Sequence, residues 1–333
     1  MSSVLETKIA SLTVIYNNSL LQLSKYCTTT YNSIMRSKLN VIQKRNAINN
    51  LNLYYNAQLR ILQTKLAADI QALSITDVTS TVSGTVSSNK KALLIGCNYL
   101  GTQNQLNGCI NDTNNIKNKL SASYGFTNIK IMTDETVMKP TRVNIIKEIT
   151  SLLMNAISGD TLFILFSGHG TSFKDANGDE IDGMDEYFVP LDFNYISDDE
   201  MKVIIQNNLK KDVNLLALFD SCHSGTVLDL KYQYLDSTNY NNATVNDKCV
   251  ETIGNVCLIS GCIDNQTSAD AFINNISQGA MTWAFLDTLN KSSSLTWNSL
   301  ITNMRTSLKN SKYTQIPQFS SGKSLDINAP FSL

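Results

Sequence analysis

Apolar and polar positions follow two different patterns along the chain, and the pattern changes near residue 90. From there, short apolar runs alternate with amphipathic segments, which is typical of strands alternating with helices. The predicted strands are residues 92–95, 129–132, 161–167, 214–220 and 256–260. The predicted helices are residues 111–121, 141–157, 199–206, 278–289 and 295–307. Since two strands, TLFILFS and NLLALFD, are almost entirely apolar, we predict an α/β domain with a mainly parallel sheet flanked by helices.

Residues 1–75 follow a helical pattern instead. This segment contains no glycine or proline, and its apolar side chains recur at helical spacing, most clearly over residues 55–73. We predict an N-terminal α-helical extension of two or three amphipathic helices packed as a hairpin. A Ser/Thr-rich linker at 76–89 then leads to the α/β domain at 90–333. Two roles stay open for the extension: a packing or oligomerisation appendage, or a pro-segment or partner-recruiting module.

The composition narrows the class of partner. The chain has 27 basic and 28 acidic side chains and a net charge of -1, which argues against nucleic acid or an anionic membrane as a partner. There are seven cysteines, and the first residues lack the basic and apolar regions of a secretory signal. We therefore expect reduced thiols and a cytoplasmic location. We also expect a monomer.

The two most apolar strands each run directly into a motif that could carry chemistry: SGHG follows the first and SCHSG the second. Ligands of open α/β sheets bind beyond the carboxyl ends of the strands, so His169 and Cys222 are expected to meet there as base and nucleophile. The N–H groups of Gly168, Gly170 and Cys222 are candidate donors to an oxyanion. His223 is the competing base, but adjacent side chains at a strand end point apart.

Five sequence blocks resemble the signature blocks of metacaspases, which are caspase-related cysteine peptidases. They are ALLIGCNYLGTQNQLNGCIND (92–112), LFSGHGTS (165–172), DGMDEYFVPLDF (182–193), LFDSCHSGTVLDL (218–230) and ISGCIDNQTSAD (259–270). The resemblance implies a caspase-like fold and an endopeptidase that cuts protein or peptide substrates after Arg or Lys. It makes His169 the general base and Cys222 the nucleophile, and it does not extend to residues 1–75.

An Arg or Lys side chain at the substrate position before the cut (P1) needs a buried carboxylate. Asp220 ends an apolar strand two residues before Cys222, where a charge needs a partner. The resemblance also places Asp112 and Ser167 in the substrate pocket. For Asp112 the alternative is an N-cap on the helix that follows it, and the sequence leaves both open.

The resemblance further implies activation by Ca²⁺, a cation that oxygen ligands suit well. Carried over by motif, the ligands are Asp185, Asp198, Asp199 and Asp229. The alternative is a solvated acidic loop whose carboxylates favour the positive end of a helix dipole.

A long polar segment at 231–254 occupies the position where caspase relatives are cut during maturation, and it contains Lys231 and Lys248 as candidate self-cleavage sites. The rival function is a catalytically silent caspase-like scaffold that binds partners through residues 1–75. Such a scaffold has no need of His169 or Cys222, so their presence favours the enzyme.

Overall fold

The structure is a computed structural model. It describes residues 2–45, 47–48, 51–52, 55, 58–59, 62–63, 65–66, 89–174, 184–221, 228–234, 243–261, 270–273, 276–292 and 294–333. The chain divides into two compact units, residues 1–86 and residues 87–333. Apart from residue 89, the predicted linker lies outside the described residues.

The second unit alternates strands and helices. Its helices are α2 (Cys109–Tyr124), α3 (Arg142–Met154), α4 (Asp198–Asn208), α5 (Ala280–Lys291) and α6 (Trp297–Asn310), and α1 (Ser2–Arg36) belongs to the first unit. Its strands are β1 (Lys90–Gly96), β2 (Asn128–Thr133), β3 (Thr161–Ser167), β4 (Gly170–Lys174), β5 (Met184–Phe188), β6 (Ile196–Ser197), β7 (Asn214–Asp220), β8 (Tyr232–Gln233), β9 (Thr244–Val245), β10 (Asn255–Ser260), β11 (Asp270–Ile273), β12 (Ile276–Gly279) and β13 (Gln318–Ser321).

The central sheet has eight strands in the order β2-β1-β3-β7-β10-β13-β8-β9. The five strands from β2 to β10 are parallel, and β13, β8 and β9 continue the sheet in antiparallel pairs. The predicted mainly parallel sheet flanked by helices is therefore confirmed. The five predicted strands are its five parallel strands.

The central strands are buried on both faces, which explains their continuous apolar sequences. Successive side chains point to opposite faces, so Ile164 and Phe166 of β3 enter one core while Phe163 and Leu165 enter the other. Helices α3 and α4 cover the first core, and α2, α5 and α6 cover the second.

The structure adds two small antiparallel sheets that the sequence pattern did not predict, β4-β5-β6 and β11-β12. Their strands have two to five residues, and β4 is half exposed, so they lack the apolar runs that identify the central strands. The predicted start of the helix at 278 was wrong. Gln278 and Gly279 belong to β12, where they pair with Ala271 and Asp270, and α5 begins at Ala280.

The first unit contains α1 (Ser2–Arg36), followed by helical backbone again from residue 41. The helix is interrupted between these two segments because Asn40 caps the second one. Its side chain accepts the Gln43 N–H at 2.9 Å, and the Gln43 side chain accepts the Asn40 N–H at 3.1 Å. Burial and the nearby Tyr55 hydroxyl raise the pKa of Tyr16 to about 12, although a hydrogen bond with Gln63 lowers it, so Tyr55 and Gln63 lie against α1.

Among the described residues, no helix combines the length and apolar content needed to cross a lipid bilayer. The described cysteines are not joined in disulfides; they are Cys27, Cys97, Cys109, Cys249 and Cys257.

Candidate functional site

Three neighbouring parallel strands end in register at one edge of the sheet. Gly96 of β1 pairs with Ser167 of β3, and Ser167 pairs with Asp220 of β7. The Gly168 N–H donates to the Asp220 carbonyl at 3.3 Å, which holds the loop after β3 against the end of β7. His169 and Ser221 follow these strands, so the polar residues after both strands emerge at the same edge.

His169 is held at its backbone and at its ring. Its N–H donates to the Tyr99 hydroxyl at 2.9 Å, and that hydroxyl donates to the Val189 carbonyl at 2.5 Å. The ring Nε2 lies 2.7 Å from the Asn104 carbonyl oxygen. Because a carbonyl only accepts, Nε2 carries the proton, and in the neutral imidazole Nδ1 is left as the basic nitrogen.

The sequence did not single out Tyr99 or Asn104. The Tyr99 ring packs 4.8 Å from the imidazole, and its hydroxyl lies 2.8 Å from where a Cβ on Gly168 would be. Position 168 therefore requires glycine, because Tyr99 leaves no space for a Cβ there. Asn104 acts through its backbone carbonyl, which any residue has, so its position in the site has no signal in the sequence.

Asp112 and Asp220 form a carboxylate pair at the N-terminus of α5. The Gly279 N–H donates to both Asp112 oxygens at 2.9 and 3.0 Å, and the Thr282 N–H donates to Asp220 Oδ2 at 2.8 Å. The Ser167 hydroxyl donates to Asp112 Oδ2 at 2.7 Å. Both carboxylates are buried, and the helix N-terminus stabilises their negative charge. The structure thus brings together the three residues predicted for the substrate pocket.

A side chain at residue 279 would fill the space beside this pair. A Cβ on Gly279 would lie 2.1 Å from Asp220 Oδ2 and 2.8 Å from Asp112 Oδ2.

The N-cap alternative for Asp112 was wrong, because α2 begins at Cys109 with Gly108 as its N-cap. Asp112 lies inside the first turn and its carboxylate points away from its own helix start, towards Ser167 and Gly279.

Cys222 and His223 lie outside the described residues, so their predicted roles stay predictions. Gly168 was wrongly predicted as an oxyanion donor, because its N–H is already bonded to the Asp220 carbonyl. Gly170 begins β4 opposite Phe188 and is half-buried. Its predicted role stays a prediction as well.

The four predicted calcium ligands come from three segments. Asp185 lies on β5, Asp198 and Asp199 begin α4, and Asp229 follows the undescribed residues 222–227. Pairing of β5 with β6 brings the first two segments together, and one oxygen each of Asp185, Asp198 and Asp199 lie within 4.8 Å of one another. The Asp229 charge acts on Asp198. We call these four residues the acidic cluster.

A solvated loop does not describe the acidic cluster. Asp185, Asp198 and Asp229 are at most 5% exposed. Burial, followed by the charge of Asp229, raises the pKa of Asp198 to about 8, although the N–H groups of Glu186 and Asp199 donate to it at 2.6 and 2.7 Å. The positive end of the α4 dipole stabilises Asp198 and Asp199, which begin this helix. It does not explain why Asp185 and Asp229, from other segments, are buried beside them.

The residues present fit a bound calcium ion. Asp229 Oδ1 is buried and has no hydrogen-bond partner among the described residues. This orphaned oxygen and the oxygens of the three other carboxylates form the type of donor set that Ca²⁺ prefers.

The two candidate cleavage sites differ in their surroundings. The Lys231 carbonyl accepts the Asn246 N–H at 2.8 Å, and β8 begins at the next residue. Lys248 is exposed in a turn after β9. Exposed turns are preferred sites of proteolysis, so Lys248 is the more accessible of the two.

Comparison with known proteins places these features in a family. A family profile described as metacaspase, peptidase C14 domain, matches residues 90–231. The Metacaspase-1 of Kluyveromyces lactis is 39% identical over an alignment of 297 residues, and the match covers 73% of this chain and 68% of that protein. In fold, the chain resembles the crystal structure of protein GSU0716 from Geobacter sulfurreducens, at a TM-score of 0.53 and 24% identity, over 72% of this chain and 95% of that one. It also resembles caspase-1 from Spodoptera frugiperda, at a TM-score of 0.43 and 10% identity, over 73% of this chain and 93% of that one.

In the presence of a chelator, we expect the free energy of unfolding to fall as the pH rises from about 4 to about 8. The native Asp198 carboxyl keeps its proton up to a pH of about 8, whereas the unfolded carboxyl, with an ordinary pKa of 3.8, has already lost it. The native state therefore binds more protons over this range, and stability falls until the native carboxyl ionises too. Urea denaturation at a series of pH values measures this change.

Asp198→Ala is the matched control, because it removes the titrating group. Its stability should depend less steeply on pH over the same range, whatever its absolute stability. Wild type and variant with parallel pH profiles would show that Asp198 titrates as an ordinary carboxyl.

Proposed function

The chain belongs to the metacaspase family of caspase-like cysteine peptidases, and from that membership we propose that it is an endopeptidase that cuts after Arg or Lys, uses His169 and Cys222, and is activated by calcium. The buried carboxylate pair Asp112 and Asp220, at the same sheet edge as His169, carries this assignment.

The hydrogen bond from His169 Nε2 to the Asn104 carbonyl suits general-base catalysis by Nδ1. In the proposed reaction, Nδ1 takes the thiol proton of Cys222 and the thiolate attacks the substrate carbonyl carbon. As the C–N bond breaks, the imidazolium gives its proton to the leaving amine. Water then hydrolyses the thioester and regenerates the thiol.

The carboxylate pair accounts for the proposed preference for a cation at P1. The N–H groups at the start of α5 satisfy part of the hydrogen-bonding capacity of Asp112 and Asp220, and each ionised carboxylate can accept about four hydrogen bonds. A guanidinium or ammonium would supply a positive charge and further donors. A neutral P1 side chain would supply at most the donors, and an acidic one would supply neither.

The proposed calcium ion would be held by the acidic cluster, and its chemistry there is to neutralise carboxylates that otherwise repel one another. Asp229 follows Cys222 by only seven residues. Fixing Asp229 against Asp198 would therefore restrain one end of the segment that contains Cys222. The same restraint acts close to Lys231, which is why we propose that self-cleavage in the 231–254 segment depends on calcium, with Lys248 the more accessible site.

We also propose that the protein acts as a cytoplasmic monomer on protein or peptide substrates, without nucleic acid or a membrane as partner. The near-neutral charge of the chain and the absence of disulfides among its described cysteines support this.

Cys222→Ala and His169→Ala are each expected to abolish hydrolysis of Arg- and Lys-terminated fluorogenic peptides while the fold survives. Groups that act as one unit lose function together, because neither the base nor the nucleophile works alone. His223→Ala should leave measurable turnover, and circular dichroism checks the fold of all three variants. Equal loss in the three variants, or activity that survives Cys222→Ala, would exclude this dyad.

Asp220→Asn should weaken transition-state binding of Arg and Lys substrates by about 2–5 kcal/mol, because the substrate cation then loses a buried partner. The amide oxygen of Asn can still accept the Thr282 N–H, so the variant tests charge more than structure. The measurement is kcat/KM for an Arg substrate against its neutral citrulline isostere. If variant and wild type discriminate equally, Asp220 does not face P1, and cleavage after Asp would contradict the specificity altogether.

Stepwise addition of Ca²⁺ to chelator-treated protein should raise activity to a plateau and produce fragments cut after Lys231 or Lys248. Asp198→Ala should lose both responses, because it removes a ligand from the centre of the acidic cluster. Kinetics and mass spectrometry of the fragments are the readouts, with Glu135→Ala, an exposed acidic residue elsewhere, as the control. Full activity in chelator, or an unchanged response in Asp198→Ala, would remove calcium from the mechanism.

A further inference from the structure

A lysine lies against the acidic cluster. Lys202 is on α4, four residues after Asp198, so both side chains emerge on the same face of the helix. Its Nζ lies 3.4 Å from Asp229 Oδ2. The Lys202 side chain is 15% exposed and the Asp229 side chain 1%, so this ion pair is largely removed from water.

Removing this ammonium group from water costs free energy unless a negative partner lies beside it. The buried carboxylates around it likewise need a positive partner. Lys202 supplies the cluster with one positive charge from within the chain. It reaches only one oxygen of Asp229, since Oδ1 of the same carboxylate is buried with no hydrogen-bond partner among the described residues. Asp229 is therefore only partly satisfied by this ion pair.

We propose that Lys202 is a tethered counter-cation that holds Asp229 in the calcium-free protein and competes with a divalent cation for it. This inference rests on the calcium site of the proposed function. A Ca²⁺ ion is bound by oxygens at about 2.3–2.6 Å, so an ammonium group still paired with Asp229 would lie only a few ångströms from it. Like charges at that distance repel, so the Lys202–Asp229 pair opposes binding of the ion by Asp229, even though Oδ1 is not part of that pair.

Such a competition raises the calcium concentration at which the protein responds. While Lys202 pairs with Asp229, the cluster is stable enough to exist without metal, and a low calcium concentration does not displace the lysine. The ion binds Asp229 and restrains the segment that precedes it only at a calcium concentration high enough to offset this repulsion. Lys202 therefore has two effects: the lysine stabilises the calcium-free protein and weakens calcium binding.

Lys202→Met tests this because it keeps most of the side-chain length and removes the charge. We expect its Ca²⁺ dissociation constant, measured by calorimetry on the full chain with Cys222→Ala to prevent self-cleavage, to fall about tenfold. In chelator, the same variant should unfold at a lower temperature than its parent, because the carboxylates have lost their counter-charge. In saturating Ca²⁺ this difference should shrink.

Two control variants distinguish competition from general damage. Lys202→Arg keeps the charge and should bind Ca²⁺ about as weakly as the parent. Lys211→Met removes the same charge at an exposed position beyond the end of α4 and should change neither measurement. A variant that was merely misfolded at α4 would bind calcium more weakly, opposite to the expected change.

Calcium binding by the parent protein and by its Lys202 variants separates failure of the competition from failure of the calcium site. If the parent protein binds Ca²⁺ and Lys202→Met binds it equally or more weakly, the competition is wrong and the calcium site stands. The competition is also wrong if Lys202→Arg tightens binding as much as Lys202→Met does. If neither the parent nor Lys202→Met binds Ca²⁺ in the millimolar range, both the calcium site and the inference fail.

Discussion

The parallel pairing of β3 with β7 is the constraint on which the site depends. It sets Ser167 opposite Asp220, and it joins the loops that follow these strands through the hydrogen bond from Gly168 to the Asp220 carbonyl. The apolar faces of both strands are buried in the two cores, so this register cannot slip by one residue without moving every side chain to the opposite face. The positions of His169 and Asp220 are therefore consequences of core packing.

The second unit contains two sets of largely buried carboxylates, and the chain stabilises them in different ways. Asp112 and Asp220 receive backbone N–H groups from the start of α5, which are dipoles and leave the negative charges in place. The acidic cluster has an ion pair with Lys202 and a carboxyl, Asp198, whose pKa is raised. In the proposed function, the first arrangement would receive a cation that arrives with each substrate, and the second a cation that regulates the protein.

Sequence patterns found the central strands because burial on both faces requires continuous apolar residues, and they found the helices because each has one buried stripe. They missed the β4-β5-β6 sheet and the β11-β12 hairpin, whose short strands are stabilised by pairing rather than by apolar burial. Helix ends were displaced for a similar reason. Gly279 caps α5 only because Gly279 and Asp270 pair in the preceding hairpin, which has no local pattern.

The sequence by itself determined the α/β class, the family and the identity of the chemical groups, because strand-end motifs and apolar runs are local in the chain. Tertiary structure alone decided which groups meet. Asn104 orients His169 through a backbone carbonyl, Tyr99 holds the His169 backbone, and Lys202 reaches Asp229 across 27 residues of chain. None of these contacts depends on a spacing that recurs in sequence. Each arises because a buried polar group must be satisfied by whatever the folded chain brings within hydrogen-bond distance.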